Sequence, residues 1–484
     1  MMEILQSCLT LRSLGSLFAL FIISVVVRGI YNVTLHPLAG FPGPRFRAAF
    51  ALPGLWSTCK GNYVRDVWYA HKTYGDVVRI APDAISFSSG SAWKDIYGLQ
   101  GGKHQLAKDY KRFPDRPEAI ILFGSNDEDH ERIRRIISHG FTSSAVKQQE
   151  ALVDGHIKKL MEQLGKHAGK KIDINHWFNV FTFDVISHLT FGESFNSLPT
   201  GQLHAFTADF LEKMKIFPII YVSREYSIVN LLLKLMMAIP SVKKQQDEFF
   251  EATKARVEKR INQALPNQHD LMKYIMENND EKGMNRQEIE GTTTVLLNAG
   301  GQETATCLSS TLFYLMRNSE TLAQAQQDTK IDDFPYIGAA IKEALRIHPP
   351  VSGNIQRRTG QGGRMIDGWY IPPNTSVGVN QFAASHSASN FALPETFAPE
   401  RWLPAASSNG FEADIKAAYQ PFSIGPRNCI GKALALMIAS RTLAELLQQF
   451  DVALQDDSKG WDERQTFNVG WDRPPLYVVL TPKA

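Results

Sequence analysis

The chain has 484 residues, of which 44% are hydrophobic and 21% are charged, a globular composition that excludes a wholly disordered or fibrous protein. Its 52 Lys and Arg residues against 49 Asp and Glu residues give a formal charge of +3, far less basic than most nucleic-acid-binding modules, so we expect no nucleic acid partner. Four cysteines in so long a chain do not make a disulfide framework, which favours a reducing compartment.

The first feature along the chain is an apolar run near the N-terminus. Residues 13–27 carry no charge and lie between Arg12 and Arg28. A cleaved signal peptide would need a small-residue cleavage site, which the run lacks, and a buried core helix would not normally be apolar on every face at a terminus. We therefore predict a single-pass membrane anchor over residues 1–31. More cations follow the run than precede it, which predicts that the rest of the chain is cytosolic.

Proline and glycine dominate the next segment. Residues 36–44 include three prolines and two glycines, a composition that a helix does not tolerate. We predict a stiff, extended hinge over residues 32–48. Residues 49–484 contain no internal repeat, low-complexity stretch or long linker, so we expect them to form one large domain.

The large domain is predicted to be mainly α-helical with small β-sheets. Two short strands come first, and a section rich in proline and glycine, with strand-like runs, covers about 350–428. The predicted strands are 77–80, 84–87 and a pair within 451–482, and the predicted helices are 128–138, 144–164, 174–191, 203–214, 241–264, 285–317, 320–328, 335–347 and 430–449.

The longest predicted helix, 285–317, carries two local signals. Asn285 and Glu288 are spaced as a capping box, which marks the beginning of the helix. Gly300 and Gly301 lie near its middle, where each glycine costs about 1 kcal/mol relative to alanine. The pair indicates either the close approach of a flat group to the backbone or tight packing against another helix.

The most informative run is FSIGPRNCIG, which begins at Phe422. Cys429 lies at the turn into a helix, where the N–H groups of the first turn and the helix dipole stabilise a thiolate. Arg427 adds a cation, and Gly425 and Gly431 permit a tight backbone path. We interpret the run as a metal-binding sulfur of low pKa, with an inert buried cysteine as the alternative. A phosphate-binding loop is excluded, because five residues rather than four separate the glycines.

This run matches the haem-binding signature F-x-x-G-x-R-x-C-x-G, and the chain resembles the cytochrome P450 family. Two further motifs occur in the family's order. Glu343 and Arg346 resemble its E-x-x-R pair, and Arg401 lies in a PERW segment that resembles the family's P-E-R-F/W segment, which binds to that pair. The resemblance extends from the anchor to residue 482. It implies a cytochrome P450-like fold with haem between the long central helix and the cysteine-bearing helix, and a haem-thiolate catalytic domain over residues 49–484.

The resemblance also implies which side chains hold the cofactor, haem b. Cys429 is expected to be the axial ligand of the haem iron. The residues expected to contact haem are Cys429, Phe422, Gly425, Arg427, Gly431, His130, Arg134, Arg357, Gly300 and Gly301. Arg427, Arg357, His130 and Arg134 are the expected propionate partners; the last two resemble the family's W-x-x-x-R motif, with His in place of Trp. Arg358 is the alternative to Arg357.

The central helix departs from the family's A/G-G-x-D/E-T-T/S pattern, in which an acid and a hydroxyl manage proton delivery. In one alignment Glu303 is the acid and Thr304 the hydroxyl, and Ala305 is the departure. In the other, Gln302 replaces the acid and Glu303 replaces the hydroxyl. The first alignment keeps both groups, so Glu303 and Thr304, with Gln302 beside them, are the expected catalytic residues. The second would alter proton delivery and favour coupling or rearrangement.

The resemblance implies a monooxygenase that hydroxylates or epoxidises a lipophilic small molecule with dioxygen. Residues 216–240 carry only three charges and correspond to the family's substrate entrance, which can contact membrane lipid. The hinge resembles that of fungal microsomal members of secondary metabolism, which implies the endoplasmic reticulum membrane. No flavin or nicotinamide motif is present, so an NADPH-cytochrome P450 reductase is expected to supply electrons, docking near Arg427 and Lys432.

Two other functions stay open at this point. One is a haem-thiolate isomerase or dehydratase, or an oxidative coupling enzyme, on the same fold; turnover of a peroxide without NADPH would select the isomerase or dehydratase. The other is a membrane-anchored haem carrier or sensor, which would take up haem without turnover.

Overall fold

Helices dominate the structure, a computed structural model that describes residues 2–99, 105–111, 126–263, 268–329, 334–404 and 410–483. The α-helices in these ranges are α1 (Met2–Thr34), α2 (Arg45–Ala49), α3 (Leu52–Cys59), α4 (Tyr63–Tyr74), α5 (Gly90–Tyr97), α6 (Asp127–Ile137), α7 (Ser143–Lys166), α8 (Ile174–Phe191), α9 (Ala205–Met214), α10 (Phe217–Glu225), α11 (Ser227–Met237), α12 (Pro240–Asn262), α13 (Leu271–Asn278), α14 (Arg286–Met316), α15 (Ser319–Asp328), α16 (Pro335–Ile347), α17 (Gln381–Ser385) and α18 (Lys432–Gln449).

The strands are short and gather into small sheets. They are β1 (Val77–Ala81), β2 (Ala84–Phe87), β3 (Ala107–Lys108), β4 (Lys171–Asp173), β5 (Arg357–Arg358), β6 (Arg364–Ile366), β7 (Trp369–Ile371), β8 (Ser376–Val379), β9 (Phe450–Leu454), β10 (Thr466–Phe467), β11 (Trp471–Asp472) and β12 (Tyr477–Pro482). Within the described ranges, one sheet has the order β1-β2-β8-β5-β3, another has β4-β12-β9, and β6-β7 and β10-β11 are two-stranded. Only the β2–β8 pairing among these is parallel.

The predicted fold class is confirmed: the chain is mainly helical with small sheets. Each predicted helix has a counterpart whose ends differ by no more than two residues, although residue 264 of the predicted helix 241–264 lies outside the described residues. The capping box that opens α14 is also present, with Asn285 accepting from the Glu288 N–H and the Glu288 side chain accepting from the Asn285 N–H. These features depend on residues close together in the sequence, which is why periodicity and spacing predict them.

The N-terminal helix contains the predicted membrane-spanning segment. Gly15–Thr34 is a stretch of 20 residues with a mean hydropathy of 1.9, and 11% of its most apolar window is buried. At 1.5 Å per residue, a helix of this length covers about 30 Å, the thickness of the hydrocarbon core of a bilayer. By length and composition, α1 is therefore able to cross a membrane.

The segment after α1 is folded against the domain. Of the predicted hinge, 32–48, residues 35–44 are free of helix, but α1 extends to Thr34, α2 begins at Arg45, and turns with one bend occupy residues 35–40, so the segment is not extended throughout. Arg79 of β1 is buried and donates hydrogen bonds to the carbonyls of Asn32 (2.7 Å) and Leu38 (3.1 Å). Because the last carbonyls of a helix lack partners within it, these bonds fix the end of α1 onto β1.

A buried ion network fixes α16 to the segment 398–414, which lies between β8 and α18. Glu343 accepts hydrogen bonds from Arg346 (2.9 and 2.8 Å), Arg401 (3.3 Å) and the indole N–H of Trp402 (2.8 Å). The three charged side chains have no solvent exposure. Asp414 pairs with the other side of Arg401 at 2.5 Å, so two carboxylates balance two guanidinium groups. The expected association of Glu343, Arg346 and Arg401 is present in the structure.

Candidate functional site

A tight loop places Cys429 two residues before Gly431, the N-cap of α18. The Cys429 N–H donates to the carbonyl of Phe422 (2.8 Å) and the Asn428 N–H to the carbonyl of Gly425 (3.1 Å). Gly425 has a φ of 78°, and a Cβ there would collide with the carbonyl of Tyr97, so the loop requires glycine at this position. The Gly431 N–H, at the N-cap of α18, donates to the sulfur. The loop therefore holds the sulfur at a helix N-terminus.

Cys429 is exposed, yet the surrounding protein desolvates its thiol and raises the thiol pKa; the Gly431 N–H, Arg134 and Lys432 oppose that rise only in part. From this combination we infer that the side chain borders a cavity inside the protein. The protein alone thus does not produce the low thiol pKa that the sequence predicts. A bound metal ion would, because it deprotonates a coordinating thiol outright.

Cationic side chains from distant segments gather beside this cavity. Arg427, whose side chain is 4% exposed, pairs with Asp127 at 2.8 Å. Arg357 is buried, with its Nε lacking a hydrogen-bond partner among the described residues, and its guanidinium lies 5.2 Å from the centre of the Tyr97 ring. Lys108 of β3 is the strand-register neighbour of Arg357 in β5. Burial, followed by the charges of Arg427 and Arg357, lowers the pKa of Lys108 to about 6.

His130 lies beside these cationic side chains and is neutral, chiefly because it is buried. Burial, followed by the charges of Arg427, Arg134 and Lys108, lowers its pKa to about 3. The cationic cluster therefore consists of Arg134, Arg357 and Arg427, whose guanidinium groups stay charged, and Asp127 is the carboxylate that the structure shows in an ion pair with it. A buried excess of positive charge is costly unless an anion compensates it. The cluster therefore fits an anionic group such as the two propionates of haem.

Two assignments of arginine are clarified by their contacts. Arg358, the alternative to Arg357, forms a two-pronged pair with Asp109 (2.8 and 3.0 Å) and so is occupied away from the cluster. Arg134 donates from both terminal nitrogens to Asn428, at 2.7 Å to the carbonyl and 2.6 Å to the side chain. Arg134 therefore supports the cysteine loop directly, a role that the sequence pattern did not indicate.

The middle of α14 presents its glycines to α8. A Cβ on Gly300 would lie 2.6 Å from Ile186, and one on Gly301 would lie 2.6 Å from Phe183. Thr304 follows these glycines by four and three residues, so it shares their face of the helix, and it is buried. The geometry supports the helix-packing alternative for the glycine pair. It does not support Gly300 and Gly301 as cofactor contacts, or Thr304 as the catalytic hydroxyl.

The opposite face of α14 carries polar groups. A Cβ on Gly470 would lie 2.9 Å from the amide nitrogen of Gln302 and 3.2 Å from a carboxylate oxygen of Glu303. Ala299, one turn before these two residues, is exposed although it lies near the centre of a core helix. Burial raises the pKa of Glu303 to about 7, against the opposing charge of Arg473. The Glu303 charge in turn contributes to raising the pKa of Cys429, so the carboxyl lies close enough to the thiol to act on it.

The geometry of α14 favours the second alignment of the central motif. Gln302 then replaces the acid and Glu303 replaces the hydroxyl, because these two side chains lie away from α8. A carboxyl group with a pKa near neutrality can both release and accept a proton at physiological pH. The structure thus retains a proton-carrying group on this face, although it is a carboxyl where the family pattern has a hydroxyl.

Sequence reasoning missed Lys108, Asn428 and Arg473 in this region. Lys108 and Arg473 lie outside the recognised motifs and reach the site through β3 and through the loop after β11. Asn428 adjoins Cys429, and its potential to hold Arg134 could have been noticed from that position. Lys108 does lie in one region, about 100–125, that lines the substrate pocket in the family resembled; residues 100–104 and 112–125 of that region lie outside the described residues.

Comparison with known proteins gives one consistent result. Residues 42–480 match the family model described as Cytochrome P450. The chain is 35% identical over 485 residues to the cytochrome P450 monooxygenase astA of Talaromyces wortmannii, covering 97% of both chains. It is 35% identical over 492 residues to the monooxygenase lcsI of Purpureocillium lilacinum (97% of this chain, 94% of the relative), and 34% identical over 471 residues to averantin hydroxylase of Dothistroma septosporum (94% and 88%).

Proposed function

The chain belongs to the cytochrome P450 family and is a haem-iron monooxygenase related to those of fungal secondary metabolism, and we propose that it inserts one oxygen atom from dioxygen into a lipophilic small molecule. The observation that carries the proposal is the placement of Cys429. This exposed cysteine precedes a helix N-terminus, and Arg134 of the cationic cluster and Glu303 both lie close enough to act on its thiol.

In the proposed site, different residues of the chain would bind the haem iron, bind the propionates and hold a proton. Haem iron, when bound with a cysteine thiolate as axial ligand, supplies the oxygen-activating chemistry. Cys429 would be that ligand, held by the Gly431 N–H, while Arg427 and Arg357 would bind the propionates. Glu303 would hold a proton on the face of α14 opposite α8, where its pKa of about 7 allows exchange.

A lipophilic substrate is supported by the apolar surface between the anchor and the domain. In α11 none of the side chains is buried, and Ile228, Leu231, Leu232 and Leu235 are exposed. α10 packs against α3, which exposes Trp56, and α3 adjoins the end of α1 through α2. An apolar surface of this extent, continuous with a helix able to cross a bilayer, is typical of a membrane contact.

We propose that the catalytic domain, residues 49–484, is cytosolic and held at the endoplasmic reticulum membrane by α1. An NADPH-cytochrome P450 reductase would supply electrons on the side of Cys429. Lys432 is exposed there and can contribute to docking, whereas the Arg427 side chain is 4% exposed and paired with Asp127, so it is not available to a partner.

Isotope labelling tests this function. Microsomes containing the full chain and a reductase would be incubated with lipophilic metabolites under labelled dioxygen. We expect a product with one labelled oxygen atom, formed only when NADPH and reductase are both present. Microsomes with the reductase alone are the control. Failure to incorporate label in any NADPH-dependent product would contradict the proposal.

One observation favours a second candidate function. Gln302 and Glu303, rather than an acid followed by a hydroxyl, face the cavity, and this departure alters the usual supply of protons. A haem-thiolate isomerase or dehydratase does not require reductase. Product formation from an organic peroxide without NADPH, and without label from dioxygen, would select that function over the monooxygenase.

The two alignments of the central motif predict opposite mutational results. Replacing Glu303 by glutamine should lower the rate of product formation by about 100-fold or more, since it removes the proton-carrying group from the cavity face. Replacing Thr304 by alanine should change the rate only a few-fold, because Thr304 packs against α8. The rate would be measured with the substrate found by labelling, at equal haem content. A large loss in Thr304→Ala with little loss in Glu303→Gln would restore the first alignment.

A further inference from the structure

Two side chains of opposite charge lie beside the proposed site without pairing directly. Glu303 Oε2 and Arg473 Nη1 are both buried, and neither atom has a hydrogen-bond partner among the described residues. Each nevertheless acts on the other: the Arg473 charge lowers the pKa of Glu303, and the Glu303 charge raises that of Arg473, in both cases against a larger effect of burial. The two groups are thus near neighbours that do not form an ion pair in the structure.

Both side chains are held in place by their surroundings. The backbone at Gly470 lies against the other carboxylate oxygen of Glu303, since a Cβ there would be 3.2 Å from it. Arg473 comes three residues later, and its Nη2 donates to the side-chain oxygen of Asn179 in α8 at 2.8 Å. The Arg473 side chain therefore reaches from the loop after β11 to α8, and its Nη1 has no hydrogen-bond partner among the described residues.

A buried donor and a buried acceptor that act on each other and both lack partners form an arrangement that an internal water can satisfy. Buried waters in proteins usually make two to four hydrogen bonds to polar groups that would otherwise lack partners. Glu303 and Arg473 are only half-buried as whole residues, which indicates space beside them, and the amide of Gln302 lies against the same loop as a third partner.

We propose that one bound water joins Glu303 Oε2 to Arg473 Nη1, and that Arg473 is thereby a positioning residue for the proton-carrying carboxyl of this site. The inference rests on the proposed function, because it assigns that role to Glu303. Arg473 remains a cation throughout, since a guanidinium does not release its proton under physiological conditions. Its contribution is to orient the water and to hold the carboxyl near the point of half-protonation.

The charges around the Glu303 carboxyl determine whether its pKa rises or falls when Arg473 is removed. Arg473 is the charged group that acts on Glu303, Glu303 in turn acts on Cys429 and Arg473, and Asp173 and Asp472 act on Arg473. Removing the Arg473 cation leaves burial unopposed, so the pKa of Glu303 should rise above about 7. A merely structural role of Arg473 would not move this titration.

Infrared titration of the haem-loaded full chain tests the proposal. The carboxylic-acid C=O band that disappears in Glu303→Gln identifies the protonated side chain, and its intensity is followed against pH. In Arg473→Met we expect the acid dissociation constant of Glu303 to fall roughly tenfold, equivalent to one pKa unit. Arg473→Lys keeps the cation and should remain within about threefold of the wild type. An unchanged midpoint in Arg473→Met would overturn the proposal.

A second measurement does not depend on any variant folding. A crystal structure of the wild-type holoenzyme should show an ordered water within hydrogen-bonding distance of both Glu303 Oε2 and Arg473 Nη1. A direct ion pair, or a gap filled by protein, would overturn the water link. Failure of the proposed function appears separately, because haem-thiolate ligation is read from the carbon monoxide spectrum and does not depend on Arg473.

Discussion

Replacing Cys429 by serine should abolish the strongly red-shifted Soret band of the reduced, carbon-monoxide-bound protein. The shift requires a thiolate ligand on the iron, and serine offers a hydroxyl that does not ionise at neutral pH. The Cys429 sulfur is the group exposed to the cavity at the N-terminus of α18, so its loss removes the proposed ligand itself. We expect product formation by the monooxygenase reaction to fall below detection. The measurement is the absorption spectrum of the wild type and variant side by side.

Cys307 provides the matched control for that experiment. It is a buried cysteine of α14 whose pKa is raised by burial to about 12, so it is an inert packing residue. Cys307→Ser should keep the red-shifted band. If the band persists in Cys429→Ser, or moves only in Cys307→Ser, the assignment of the axial ligand and of every residue placed around it is wrong.

Replacing Glu343 by glutamine should cause the largest loss of stability among single substitutions outside the haem site. Glu343 accepts hydrogen bonds from Arg346, Arg401 and Trp402 with no solvent exposure, and glutamine keeps the shape but not the charge. The variant leaves Arg346 without a carboxylate and Arg401 with Asp414 alone. Breaking a buried pair in this way typically costs about 3–5 kcal/mol. We expect a lower thermal midpoint and reduced haem content.

A surface pair gives the corresponding control. Asp154 and Arg441 lie 2.6 Å apart but both are substantially exposed. Exposed pairs contribute about 0–1 kcal/mol, so Asp154→Asn should leave the thermal midpoint and haem content close to those of the wild type. Equal effects of Glu343→Gln and Asp154→Asn would show that the buried network does not stabilise the fold.

Features that depend on neighbouring residues were predictable from the sequence. The signature around Cys429 occupies ten consecutive positions, and the capping box of α14 needs only Asn285 and Glu288. The pair Glu343 and Arg346 is one helical turn apart, so its association follows from helix geometry alone. Helix boundaries were predicted within two residues for the same reason, because they follow from local periodicity and caps.

Features that depend on direction were decided by the tertiary structure. Polar and apolar residues are spread around α14 with no single apolar face, so its sequence does not reveal which face meets α8. The contacts of Gly300 and Gly301 place Thr304 against α8 and leave Glu303 for the cavity. In β5, adjacent side chains point to opposite sides of the strand. Arg357 therefore lies in the cluster, whereas Arg358 pairs with Asp109.

Local sequence pattern was therefore enough to predict the family, the proposed ligand residue and the course of the helices. The hinge required the fold, because Arg79, more than thirty residues away, captures the carbonyls of Asn32 and Leu38 and turns the segment back onto β1. The link between Glu303 and Arg473 required it too. Residues far apart in the chain acquire their chemistry from the side chains that packing brings near them, and local pattern carries no information about that distance.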